Sequence, residues 1–255
     1  MANEKFVLVM LALVGTNIIT MIFLVYISLH DKIPQRLLNK LGIINYQIQN
    51  KDYLYYKLQV LHSLYINKRS YEIIMLGDSI TAGGEWEQLL KGYDVANYGI
   101  PGDTTDGILC RLQEIYMANP KKVFIMIGTN DIHFSGLNIN DSYTIMTIFN
   151  NYQKIVNSLR ENGIVVIIQS TLNVSDENTG RKNHDINKLN NFLQNFCVEK
   201  NIRFLDVNSV LVKDGLLQKK YTSDGLHINK KGYKKWKNLI IKELVNSTHE
   251  SSCFA

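Results

Sequence analysis

Between Tyr71 and Thr81 the chain reads YEIIMLGDSIT, an apolar run from Ile73 to Leu76 that stops at Gly77, Asp78 and Ser79. A short run that is apolar at every position, rather than at alternate ones, is what a strand buried on both faces requires. The same pattern recurs along the chain. Short apolar runs appear at Glu72–Leu76, Val95–Asn97, Lys122–Ile127 (KVFIMI), Ile164–Ile168 (IVVII) and Arg203–Val207 (RFLDV). Between and after them lie stretches with helical periodicity, roughly Gly84–Leu90, Thr105–Met117, Asp141–Asn162, Lys182–Lys200 and Lys230–Val245. In the fourth, Ile186, Leu189, Leu193 and Phe196 recur at steps of three and four; in the last, Tyr233, Trp236, Ile240 and Leu244 share one face. Strand alternating with helix predicts an α/β domain: a parallel five-stranded sheet with helices on both sides, a three-layer α/β/α arrangement. Right-handed crossovers then bring the loops at the strands' carboxyl ends to one edge.

Upstream of this domain the chain changes character. From Phe6 to Ser28 no residue is charged. At about 1.5 Å per residue such a run crosses a hydrocarbon core roughly 30 Å thick. A soluble core helix rarely lacks a polar face over so many turns. A cleavable signal peptide has a shorter apolar region and a small-x-small site, whereas this run ends in Val-Tyr-Ile-Ser-Leu-His. The expectation is an uncleaved membrane anchor over residues 1–29. Lys32, Arg36 and Lys40 on its carboxyl side lean the positive-inside count toward an internal domain. The very short amino-terminal tail argues the other way, and an external domain is expected. Residues 30–70 form a connecting segment of helical look, with Leu54, Leu58 and Leu61 near one stripe. The α/β domain is then expected over 71–246, with a tail at 247–255.

Composition sets the remaining bounds. Of 255 residues, 45% are apolar and 20% charged, which excludes global disorder and collagen-like chains. The net charge of +5 is too mild to imply nucleic acid. The three cysteines, Cys110, Cys197 and Cys253, are too scattered for a disulfide framework or a CxxC zinc pattern.

The loops after the strands carry the chemistry. Ser79 comes after a buried strand and precedes a helix, where N–H groups at the helix start can meet a developing anion. A turn with a helix cap explains Gly-Asp-Ser equally well. The second strand ends in NYGIPGDT (Asn97–Thr104), whose glycines suit close approach of the backbone to a ligand. The third ends in Gly128-Thr129-Asn130-Asp131, an uncharged amide at a strand end with Asp131 as a helix cap. Near the carboxyl end comes Asp224-Gly225-Leu226-His227. A carboxylate three residues before a histidine can hold one ring nitrogen while the other faces a hydroxyl, the pairing that activates a serine.

Taken together and in order, these four blocks resemble the SGNH hydrolases, the GDSL-type esterase and lipase superfamily, over Tyr71 to about Leu244. The branch they look most like is that of the platelet-activating-factor acetylhydrolases and lysophospholipases. Ile80 stands where that family usually has leucine. The resemblance implies a flavodoxin-like SGNH fold and a serine ester hydrolase that needs no metal or cofactor. It also implies roles. Ser79 would be the nucleophile, His227 the base and Asp224 the acid. The backbone N–H groups of Ser79 and Gly102 and the side chain of Asn130 would form the oxyanion hole. The expected substrate is a small-molecule, glycan or lipid ester: an acetyl group on a surface glycan or an acyl group on a lysophospholipid. The same serine could pass an acyl group to a sugar, as an O-acyltransferase, and the fold could serve as a non-catalytic binding module.

Other residues fit a catalytic role less well. Cys110 falls on the apolar side of an expected helix and reads as a buried thiol. His133 stands close enough to Asn130 to line a pocket, while His184 opens a helix at the surface. Asp78 suggests phosphoryl transfer, but the lysine and second aspartate of that chemistry are not apparent. Lys230, Lys231, Lys234, Lys235 and Lys237 read as a solvated face that beside an anchor could touch anionic lipid. The loops His133–Asn140 and Leu172–Asn183 are rich in Asn, Ser and Gly, without a strongly hydrophobic lid.

Overall fold

Five short segments, three of them dominated by Val, Ile, Leu and Met, form the expected sheet. In the computed structural model, which describes residues 70–135, 145–175 and 181–252, these are β1 (Ile73–Gly77), β2 (Val95–Gly99), β3 (Lys122–Met126), β4 (Val165–Gln169) and β5 (Arg203–Leu205). They pair in parallel in the order β2-β1-β3-β4-β5. Every side chain of β1 is buried, as its unbroken apolar pattern requires.

The helices after each strand are α1 (Ser79–Ala82) and α2 (Trp86–Leu89), then α3 (Thr105–Cys110) and α4 (Leu112–Ala118), then α5 (Thr129–Ser135) and α6 (Ile145–Glu161), then α7 (Asn183–Lys200). After β5 come α8 (Asn208–Leu211), a small hairpin of β6 (Val212–Lys213) and β7 (Leu216–Leu217), and the terminal α9 (Lys230–Ser252). Right-handed crossovers put α1 and α2 on one face of the sheet and α3, α4, α6 and α7 on the other, because the chain reverses direction across the sheet after β2. The packing agrees. The members of the second group lie against one another, while α9 joins the first through Trp86, Trp236 and Tyr233. Trp86 and Trp236 meet edge to face with centroids 4.8 Å apart, and both are fully buried. Their indole N–H groups donate to Thr81 O and to Gln169 Oε1, so neither donor is left unpaired in the core.

The periodic faces of α7 and α9 are buried as expected. Lys230, Lys231, Lys234 and Lys235 lie on α9 at its solvent side and Lys237 is half-buried, so the basic run is a solvated face. Two expectations are corrected. The single helix over Thr105–Met117 is two helices, broken at Arg111 (φ −121°, ψ 16°), whose side chain turns into the interior. Cys110 then falls on the outer side of the break and is exposed, not buried.

The anchor segment at Phe6–Ser28, the stripe at 54–65 and the end of the tail lie outside the described residues, as do 136–144 and 176–180 within the two expected specificity loops. Among the described residues no helix is long and apolar enough to cross a membrane.

Candidate active site

The chain order across the sheet reverses beside β1, and the crevice beyond the carboxyl ends of the strands at such a point is where α/β sheets bind ligands. Ser79, Gly102 and Asn130 come after β1, β2 and β3 respectively. Ser79 is the first residue of α1, whose cap is Asp78: its Oδ1 accepts from the backbone N–H of Ile80 at 2.9 Å. Asp78 is buried, and burial pushes its carboxyl up to about 7 against the pull of that hydrogen bond. It is a structural cap beneath the serine, with no second function visible in its contacts.

Asp224 and His227 reach the same place from the opposite end of the sequence. A tight turn before α9 presents them, with Gly225 at φ 90°, a left-handed conformation that favours glycine. Asp224 Oδ1 accepts from the backbone N–H groups of Leu226 and His227. Its Oδ2 lies 2.6 Å from His227 Nδ1. Partial burial pulls this carboxyl up, but the hydrogen bonds from the His227 ring and those two N–H groups win, and it is held down at about 2. An ionised carboxylate can only accept, so Nδ1 carries the proton. The lone pair of Nε2 then faces Ser79 Oγ at 2.9 Å. The pair is not deeply enclosed: 41% of the His227 side chain and 50% of that of Asp224 remain exposed. A hydroxyl held by a neutral imidazole that is itself held by a carboxylate can transfer its proton as the oxygen attacks an electrophile.

The other two strand-end loops are fixed by buried polar contacts. Asn97, in β2, donates through Nδ2 to Ala82 O and Gly84 O, which joins the end of β2 to the turn after α1. Gly102 has φ 78°, again a conformation that glycine adopts readily. Next to it, Asp103 forms a buried ion pair with Arg111, Nη2 to Oδ2 2.7 Å, and Arg111 also donates to Tyr98 O. This pair holds the loop after β2. Asn130 Nδ2 donates to Asp103 O at 2.9 Å, so the loops after β2 and β3 are linked directly. Asp131 does not sit ahead of a helix as its cap. It lies in the first turn of α5 and accepts from Thr105 N and Oγ1 at the start of α3.

The structure therefore brings Ser79, His227 and Asp224 into hydrogen-bonding sequence and places Gly102 and Asn130 on the adjoining loops. His133 is half-buried one turn beyond Asn130, and His184 is exposed. Two buried arginines are additional: Arg111, and Arg181, whose Nη2 donates to Asn130 Oδ1 at 3.0 Å. Neither stands in a motif or periodic pattern. Only an arginine on an otherwise apolar stripe, as at Arg111, hints at a buried pair. Among the described residues no group of three or more His, Cys, Asp or Glu side chains is placed to hold a metal ion.

Comparison with known proteins leads to the same loops. Residues 75–235 match the GDSL-like lipase/acylhydrolase family. The N-acylneuraminate cytidylyltransferase of Streptococcus agalactiae serotype V is 36% identical over 166 residues, 65% of this chain. That match spans only 37% of the relative's own length. Platelet-activating factor acetylhydrolase IB subunit alpha1 of Rattus norvegicus is 28% identical over 173 residues, 64% of this chain and 70% of that protein. Among solved structures, the lipase/acylhydrolase of Enterococcus faecalis superposes with a TM-score of 0.57 at 27% identity, covering 69% of this chain and 95% of the other. With the family matched from within β1 into α9, across all four strand-end and loop blocks, the chain belongs to the GDSL-like lipase/acylhydrolases, the SGNH hydrolases.

Proposed function

We propose that the chain removes a small acyl group, acetyl in size, from a sugar or a comparably polar alcohol by a Ser-His-Asp mechanism. The observation that carries this is the continuous relay from Ser79 Oγ to His227 Nε2, 2.9 Å, and from His227 Nδ1 to Asp224 Oδ2, 2.6 Å. Ser79 Oγ attacks the ester carbonyl while His227 takes its proton, and Asp224 stabilises the imidazolium that forms. The proton passes to the leaving alcohol, the C–O bond breaks and the acyl group remains on Ser79. Water, deprotonated by the same histidine, then releases the acid. The tetrahedral oxyanion is met by the backbone N–H groups of Ser79 and Gly102 and by the amide of Asn130.

The small acyl group is supported by the rat relative, which is named an acetylhydrolase. The streptococcal relative is named for an N-acylneuraminate, a sugar acid, which supports a carbohydrate as the alcohol part of the ester. The polar composition of the loops at 133–140 and 172–183 agrees with both. The apolar segment at Phe6–Ser28 supports a membrane-anchored enzyme.

Ser79→Ala is expected to abolish turnover and to block labelling by a fluorophosphonate, with the fold intact by circular dichroism. Full esterase activity in that variant would overturn the mechanism. A series of p-nitrophenyl esters from acetate to palmitate should show a steep fall in kcat/KM beyond the shortest chains. An O-acetylated sugar should release free acetate rather than pass it to a saccharide acceptor.

A further inference from the structure

Asn130 can serve an oxyanion only if its amide group is the right way round, and Arg181 bears on that directly. The residue lies just ahead of α7, on the loop after β4, and only 9% of it is exposed. Its Nη2 donates to Asn130 Oδ1 at 3.0 Å, while Asn130 Nδ2 donates to Asp103 O at 2.9 Å. A guanidinium has no acceptor and a backbone carbonyl has no donor. The two partners therefore fix the amide in a single orientation. One N–H of Nδ2 is committed to Asp103, and the other is left for a ligand.

We infer that Arg181 is a positioning residue of the oxyanion hole, holding and polarising the Asn130 amide so that its remaining N–H is aimed and strengthened as a donor. This rests on the reading of Asn130 as an oxyanion donor. A charged donor on a carbonyl oxygen draws electron density from the amide nitrogen, and hydrogen bonds in series reinforce one another in a poorly solvated site. Burying the guanidinium is costly and pulls it below its usual value, and the neighbouring Asp78 and Asp224 offset only part of that cost by favouring its charged form. The cation thus stands near the cap below Ser79 and the acid behind His227 while it touches Asn130. A residue kept only for packing would not need a charge here, and an apolar side chain would fill the space without desolvating an ion.

The test is a double-mutant cycle on the full chain with p-nitrophenyl acetate. Asn130→Ala should lower kcat by roughly 10²–10³-fold, as loss of an oxyanion donor does. Arg181→Gln, which removes the charge, should lower kcat by roughly ten-fold, a fraction of that loss, with KM little changed. Arg181→Lys should recover most of it, because a cation again faces Oδ1. In the Asn130→Ala background, Arg181→Gln should have no further effect on kcat, since its action passes through the missing amide. Effects that multiply in the double variant, or an Arg181→Gln enzyme with unchanged kcat, would overturn the inference. If Arg181→Gln fails to fold, the same cycle run with Arg181→Met, which also removes the charge, decides it: a kcat loss that vanishes in the Asn130→Ala background supports the inference, and any other result overturns it. An Asn130→Ala enzyme with unchanged kcat would instead remove the oxyanion reading beneath it, leaving the Ser79 result untouched.

Discussion

At the residue scale, the site is built on carboxylates with opposite fates. Asp224 sits in a solvated turn, accepts three hydrogen bonds through its two oxygens and is held down at about 2. Asp78 sits under Ser79 with one hydrogen bond from Ile80 and is pushed up to about 7 by burial. The upward direction at Asp78 decides how it affects stability. The folded chain holds the Asp78 proton to a higher pH than the unfolded chain, whose value is 3.8. This group therefore favours the fold most below that value, and its contribution is lost as pH rises towards about 7. Asp131, raised to about 6 chiefly by burial, acts in the same direction. Asp78→Asn keeps an oxygen to cap α1 but has no charge to bury. Its melting temperature is expected to exceed that of the wild type at pH 8 by a few degrees, at roughly 2–4 °C per kcal/mol, and to match it near pH 4. Thermal unfolding at the two pH values measures this; an equal offset at both would show that the Asp78 charge is not what the fold resists.

At the element scale, close contact between strand ends and α1 sets where the serine stands. A Cβ added at Gly99, the last residue of β2, would meet the backbone N of Ala82 and lie 2.7 Å from its Cα. A Cβ at Gly77 would strike Met126 O and Thr81 Oγ1. At Gly99 the obstruction is the backbone of α1, which yields only if α1 moves, whereas at Gly77 it is a carbonyl of β3 together with the Thr81 side chain. Gly99→Ala is expected to cost about 1–3 kcal/mol in stability and to lower kcat further by displacing Ser79 from His227. Gly163→Ala is the control, since nothing lies within 4 Å of its Cβ position and only its φ of +74° is strained. Urea unfolding and kcat for the two variants test this, and similar kcat values would count against a steric route to Ser79. The same elements show how much of the architecture is legible in the sequence. The central strands are, because burial on both faces leaves an almost unbroken apolar run, as in IIML at β1 and KVFIMI at β3. The faces of α7 and α9 are, because their periodicity lasts for several turns. The break at Arg111 is not: what ends α3 there goes with a pairing to Asp103 across the loop, and no local period encodes it. Nor is α5, whose seven residues are too few to show a period. Of the site, the residues with family motifs are legible and Arg181 is not, because it joins Asn130 only after β4 has folded beside β3.

At the scale of the whole molecule, the arrangement depends on two kinds of chain being joined. The first 29 residues carry only Glu4 and Lys5, whose charges cancel, so the net +5 belongs to residues 30–255. The described part of the chain buries its apolar residues in a sheet flanked by helices and opens its reactive edge to solvent, with His227 and Asp224 substantially exposed. An anchor would therefore serve to hold the enzyme near its substrate, and removing it should change location without changing chemistry. The full chain is expected to remain with membranes through an alkaline carbonate wash, because transferring an apolar segment able to span roughly 30 Å back into water is strongly unfavourable. A chain beginning at residue 30 should appear in the wash and hydrolyse p-nitrophenyl acetate with an unchanged kcat. Protease added outside intact cells should remove the activity of the full chain. Release of the full chain by the wash would refute the anchor, and resistance to external protease would place the domain on the cytoplasmic side, where the lysines after the apolar segment lean.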